Sequence, residues 1–309
     1  MAQIRTGGDN SEPAGYEGSI LTGGHNSEIA GGDDSTIAGG DRSKLTGGEY
    51  SKITSGEYSH LVAGFNSVIA GGDDSTITGD HFSVIAGGED STITGGDRSK
   101  LTGGDDSKIT SGEYSKVVGG DRSTIAGGED STIAGGEYSH LVAGHSSELA
   151  GGDRSTIAGG EDSKITSGEY SHLVAGFNSE IAGGEGSTIA GGSGSKLTGG
   201  DNSTITGGDR SKLTGGEDST IAGGEDSKIV GGDGSKIVGG HDSAITGGDG
   251  SKIAGGDGST IAGGDGSTIA GGSGSKLTGD EGSTIAGGEY SKVVGGDHST
   301  IAGGEGSTI

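Results

Sequence analysis

Polar and apolar positions alternate along this chain on a strict eight-residue period. Serine stands at every eighth residue from Ser11 to Ser307, and two residues after each serine comes Ile, Leu or Val, with Pro13 the one exception. The unit reads Gly-Gly-x-x-Ser-x-(Ile/Leu/Val)-x, as in Gly31-Gly32-Asp33-Asp34-Ser35-Thr36-Ile37-Ala38. From Gly7 to Ile309 the 303 residues make 37 full octads plus seven residues. So short and exact a period predicts a solenoid, in which each coil buries a thin seam against its neighbours.

In Ser-x-Ile-x the side chains alternate, so serine and the aliphatic residue share the inward side while the sixth and eighth octad positions face out. The β-branched residues favour a strand there. The Gly-Gly pair is expected to supply a tight, positive-φ corner that returns the chain; its second glycine fails only at Tyr16, Asp80 and Asp280. An inward serine ladder that hydrogen-bonds from coil to coil accounts for the recurrence of serine without catalysis. A stacked inward hydroxyl cannot meet a substrate, and no Ser-His-Asp order stands out.

The outward sixth position decides how many octads make one coil. Counting octads from Gly7, threonine holds that position fourteen times, ten of them in odd octads, whereas nine of thirteen lysines there fall in even octads. Sorting by three octads spreads the threonines evenly, so a 24-residue triangular coil loses to a 16-residue one. One motif, Thr54-Ser55-Gly56-Glu57-Tyr58, recurs at Thr110 and Thr166 and swaps side each time. The expected fold is an all-β parallel β-solenoid, or β-helix, of 16-residue coils with two octapeptides per coil: a flat two-sided stack of about 19 coils. Residues 1–22, with Pro13 in the seam, read as a lead-in and degenerate first coil, and 23–309 as the regular solenoid.

Seventy-seven glycines in 309 residues, 26% hydrophobic residues and a net charge of −26 would describe a disordered chain if the period were absent. There is no cysteine, which excludes disulfides and thiolate metal sites. No stretch approaches the length that spans a bilayer, and Met1 to Asn10 shows no charged segment followed by an apolar run, so no direct membrane insertion is expected. The negative charge makes nucleic acid and anionic lipid poor partners. Acids gather at the third octad position (Asp33, Asp41, Glu49) and read as solvated edge charge. Gly263–Ala270 is similar to a calcium-binding nonapeptide, but Ser267 stands where the ligand Asp belongs, and no metal or cofactor is expected. Unlike groups converging in a pocket are not expected from a uniform stack, so the chain reads as non-enzymatic.

Outward threonines on a rigid sheet would repeat hydroxyls and methyls at ~4.8 Å between coils and ~7 Å along a strand, spacings of the order found in ice. The expected ice- or water-ordering residues are Thr76, Thr78, Thr92, Thr94, Thr124, Thr156, Thr188, Thr204, Thr206, Thr220, Thr268, Thr284 and Thr300. Threonine is also simply a good strand former at an exposed site, which leaves a structural reading open. Lysines or His60, His140 and His172 interrupt the rows.

The repeat resembles that of the bacterial-type ice nucleation proteins, Ala-Gly-Tyr-Gly-Ser-Thr-x-Thr-Ala-Gly-x-x-Ser-x-Leu-Thr, which is also two octads with serine and an aliphatic residue in this register. Gly40-Asp41-Arg42-Ser43-Lys44-Leu45-Thr46 and Ser59-His60-Leu61-Val62-Ala63-Gly64 look like the basic coils that end those solenoids. This chain differs in placing tyrosine at the fourth position (Tyr50, Tyr58, Tyr114, Tyr138, Tyr170, Tyr290) without odd or even preference. Both of its strands also carry aliphatic seventh positions. The resemblance implies a protein on the cell surface, at the outer membrane, or secreted, that nucleates or binds ice through ordered water. It further implies a homo-oligomer formed by end-to-end or side-to-side association. The alternative is an extracellular structural, adhesive or filament-forming solenoid without ice activity.

Overall fold

The structure is a computed structural model that describes residues 3–309. It is an all-β parallel β-solenoid: along the chain run about 19 turns of 16 residues, each contributing two strands of three or four residues, and no helix occurs among the described residues. The chain divides into two compact units, Met1–Thr156 and Ile157–Ile309.

In both units each strand pairs in parallel with the strand 16 residues on, in full register. In the first unit Ile85 lies opposite Leu101 and Ile93 opposite Ile109; in the second, Ile205 lies opposite Ile221 and Ile245 opposite Ile261. Even octads therefore build one sheet and odd octads the other, as the threonine and lysine sorting predicts. At the start, strand Ile4–Thr6 pairs with Ile20–Thr22. The octad holding Pro13 forms only a single bridge, Ala14 to Ala30, consistent with a residue that has no N–H to give.

The seam is the alternating pair expected. Seventh-position residues from Leu21 to Val293 are at most 3% exposed, and the fifth-position serines from Ser19 to Ser291 are buried with them. Each such aliphatic side chain contributes roughly 1.5–3 kcal/mol of burial, so a chain with few apolar residues holds a core by placing most of its Ile and Leu at one repeating position. The serines satisfy the backbone that the strands leave over. Ser195 Oγ donates to the carbonyl of Gly176 in the preceding coil at 3.3 Å, and it accepts the N–H of Ser179 at 3.2 Å. The coil-to-coil serine ladder is thus present, and it is inward throughout.

The corner differs from expectation. Positive φ falls not on the Gly-Gly pair but on the fourth octad position, where every residue from Asn10 to Gly306 has φ between 52° and 74°. That is the third residue of a turn running from the second to the fifth position, where positive φ marks the type II pattern. The glycine pair answers to space instead. A Cβ on Gly31 would lie 2.8 Å from Ser35 Cβ and 3.0 Å from Ile37 Cδ1, inside its own seam. One on Gly32 would lie 2.9 Å from the backbone nitrogen of Glu17, in the coil beneath. A side chain can give way and a stacked backbone cannot. Accordingly the first position accepts Ser55, Ala63, Ser111, Ala143, Ser167 and Ala175, and the second stays glycine with three exceptions.

Candidate water-ordering face

The odd-octad sheet carries the predicted threonines, all on its outward side. In the first unit Thr76 lies opposite Thr92, Thr78 opposite Thr94, and Thr94 opposite Thr110. These five make a two-column patch, of which Thr110 was not among the expected residues although its register with Thr94 is readable from a 16-residue count. Thr124 stands alone between Lys108 and His140. Thr156 is exposed at the start of its strand, Thr156–Ala158.

In the second unit Thr188, Thr204 and Thr220 stack in one column, with Ala190, Thr206 and Ala222 beside them. A second run, Thr268, Thr284 and Thr300, has Ala270, Ala286 and Ala302 beside it. Lys236 and Lys252 separate the two runs. Every sixth-position threonine named here is exposed. In-register pairing sets the hydroxyls and methyls of each run ~4.8 Å apart, and a Thr-x-Thr strand offers a second column about 6.6 Å away. What such a surface can do chemically is hold water at fixed positions by hydroxyl hydrogen bonds between methyls that do not compete for it.

The even-octad sheet is different in kind. Its outward sixth positions hold lysine columns, Lys100 against Lys116 in the first unit and Lys196, Lys212 and Lys228 in the second. Glu180 faces Lys196 at 2.7 Å, and that hydrogen bond, with the charge of Lys196, holds the Glu180 carboxyl below its ordinary range.

The edges are more than solvated charge. A third-position aspartate accepts, through Oδ1, the N–H of the third-position residue one coil on: Asp73 from Glu89 at 2.9 Å, Asp105 from Asp121 at 2.9 Å, Asp201 from Glu217 at 2.9 Å. His81 and His241 take the same place through Nδ1, accepting from Asp97 at 2.9 Å and Asp257 at 3.1 Å. The neighbouring N–H at position four goes to a backbone carbonyl, as from Asp34 to Glu49 at 2.8 Å, so the side chain fills a corner donor that the backbone leaves.

Aromatic and basic residues at the fourth position, with Phe65 at the third, also meet across coils. On the even edge of the first unit Tyr50 contacts Phe65, Phe65 contacts Phe82, and Arg98 lies between the rings of Phe82 and Tyr114 at 5.4 and 5.2 Å. On the odd edge Arg122 grips Asp106 through Nε and Nη2, at 2.9 and 2.8 Å. Asp106 is held below its ordinary range first by that hydrogen bond, against slight desolvation, and further by the guanidinium charge. Spacings of 15 to 17 residues between these side chains are the available signal.

The fold and its faces define a repetitive parallel β-solenoid protein with one threonine-rich and one lysine-rich sheet. Comparison with protein-family models, with curated proteins and with solved structures finds no match.

Proposed function

We propose that the threonine-rich sheet orders water, so that the protein binds or nucleates ice, and that it acts as multimers at the cell surface or in secreted form. The observation that carries this reading is the in-register stacking of exposed threonines, above all Thr188, Thr204 and Thr220, on a parallel sheet of constant pitch. A template of three coils stabilises only a small ice embryo, which is why multimers belong to the reading. The test is the freezing temperature of many small droplets of the purified protein against buffer, with Thr188→Lys, Thr204→Lys and Thr220→Lys combined as control. Freezing warmer than buffer that the substitutions reduce supports the proposal; freezing equal to buffer at every concentration defeats it.

A structural or adhesive role has one specific observation in its favour. Val68 and Val84 face each other, both exposed, on the outer side of the even sheet, and the exposed Tyr50 and Phe82 lie on the edge of the same sheet. Contiguous exposed apolar groups mark contact surfaces. Binding to cell-surface material that survives the threonine substitutions and is lost with Val68→Thr and Val84→Thr would favour this reading.

A further inference from the structure

We infer that the lysine-bearing sheet of the second unit is a docking face for the acidic edge of a second copy of this chain, giving open side-by-side assembly. The inference rests on the fold alone and holds whether or not the threonine face acts on ice.

Two like-charged columns run along the second unit. On the even sheet Lys212 lies directly opposite Lys228, and Lys276 directly opposite Lys292. All four are exposed, and among the described residues none has a carboxylate within ion-pair distance, in contrast to Lys196 with Glu180. On the odd edge every third-position residue from Glu169 to Asp297 is Asp or Glu, nine coils in succession, and all are exposed.

Like charges directly opposite in a sheet are destabilising. Nothing in the local fold requires them, since Ala244 and Thr260 occupy the same outward position between the two lysine pairs. The lysine pairs are a cost to the isolated unit, and the acidic edge carries the opposite charge in the same pitch. Both follow the ~4.8 Å coil pitch, so the two lysine pairs laid along an acidic edge bring one ammonium to one carboxylate at each of their four coils without adjustment of either backbone. A single exposed pair is worth little, whereas several held in one rigid register act as a network.

The two surfaces are different patches of one molecule, so the contact is heterologous. A copy that uses its lysines still offers its own edge to a third, so growth continues beyond the dimer. The net charge of −26 opposes approach at long range, but at physiological ionic strength that repulsion is screened beyond ~8 Å while contacts at ion-pair distance persist.

The test is sedimentation velocity of the full chain at ~0.15 M salt over a wide concentration range, with three proteins. Wild type is expected to associate as concentration rises. A variant carrying Lys212→Glu, Lys228→Glu, Lys276→Glu and Lys292→Glu, and one carrying Glu185→Lys, Glu217→Lys and Asp297→Lys, should each sediment as a 29.6 kDa monomer, with association weakened at least tenfold. Mixing the two variants should restore association, because each retains the surface the other has lost. Circular dichroism of each variant, and a Lys→Gln version of the first that removes charge without reversing it, separate loss of contact from loss of fold. The inference is overturned by a wild type that stays monomeric, by a Lys→Glu variant that associates like wild type, or by a mixture that stays monomeric. Dextran sulfate bound by a monomeric wild type through these lysines would overturn it in favour of an anionic polymer as the occupant.

Discussion

The carboxylate of Asp233 accepts the backbone N–H of Asp249, one coil further on, at 2.9 Å, and Asp249 does the same for Asp265. Aspartate spans this gap, as His81 and His241 do through Nδ1, whereas glutamate, equally acidic, occupies the position at Glu89 and Glu217 without making the bond. The two acids at the third position are therefore not interchangeable. Asp249→Ala and Asp249→Glu should each lower stability by roughly 0.5–1.5 kcal/mol, the net worth of one hydrogen bond. Asp249→Asn keeps an acceptor and should cost less. Chemical unfolding followed by circular dichroism measures the order, and an Asn variant no better than Ala would refute the hydrogen-bond account.

Burial makes the serine ladder the stronger constraint. Removing the hydroxyl at Ser195 leaves the N–H of Ser179 without its acceptor in a position sealed from water. Ser195→Ala is expected to cost about 1–3 kcal/mol, the penalty of a buried unsatisfied donor. Because coils interact with their nearest neighbours, loss should begin locally, and hydrogen exchange should rise first at Ser179.

The glycine pair yields an asymmetric expectation. On Gly200 a Cβ would sit 2.9 Å from the backbone nitrogen of Glu185, while on Gly199 it would meet mainly the side chains of Ser203 and Ile205. Gly200→Ala should therefore destabilise by about 1–3 kcal/mol through overpacking, and Gly199→Ala by less, as the native Ala63, Ala143 and Ala175 indicate. Thermal melts of the two variants give the comparison directly; equal losses would put the closeness of the coils in question.

This asymmetry shows where sequence reading stopped. Register, coil length and the inward serine and aliphatic rows were legible because each is a periodic choice of residue type. The corner was not, because glycine serves two ends: it permits positive φ, and it permits close approach. The Gly-Gly pair has the second role, not the first. The better signal lay at position four, where Asn, Asp or Gly fill 24 of 38 places and φ is positive at all of them. The distinction between Asp73, which bonds the next coil, and Glu89, which does not, depends on one methylene and has no periodic signature. The threonine columns of the face were mostly readable, but Thr110 has Lys108 rather than threonine beside it in its own strand, so it belongs to the face only through Thr94 opposite.

Two carboxylates give the acid limb of stability a defined sign. Asp106 and Glu180 are both lowered from ordinary values of 3.8 and 4.5 by Arg122 and Lys196 respectively. A carboxyl whose folded value lies below its unfolded one adds stability above the unfolded value, and that stability is lost as pH falls through the folded one. Arg122→Gln and Lys196→Gln should thus be less stable than wild type near neutral pH, modestly because both pairs are exposed. The gap should close below pH 3.8. A difference that persists at low pH would mean that packing, not charge, accounts for these residues.

The strongest prediction for the threonine face is a gain. In the second unit Lys236 and Lys252 alone stand between Thr188-Thr204-Thr220 and Thr268-Thr284-Thr300, each opposite the other and opposite a threonine. Replacing both by threonine produces one column of eight coils from three, two and three, and it removes a like-charge pair, so stability should hold or rise. If ordered water on this column is what the protein supplies, the larger template should freeze droplets at a warmer temperature than wild type. A matched change on the other sheet, Lys212→Thr with Lys228→Thr, should add no comparable warming to droplets of dispersed protein. Freezing that does not respond to the eight-coil column, in a protein whose circular dichroism is unchanged, would remove the threonine face as the seat of function.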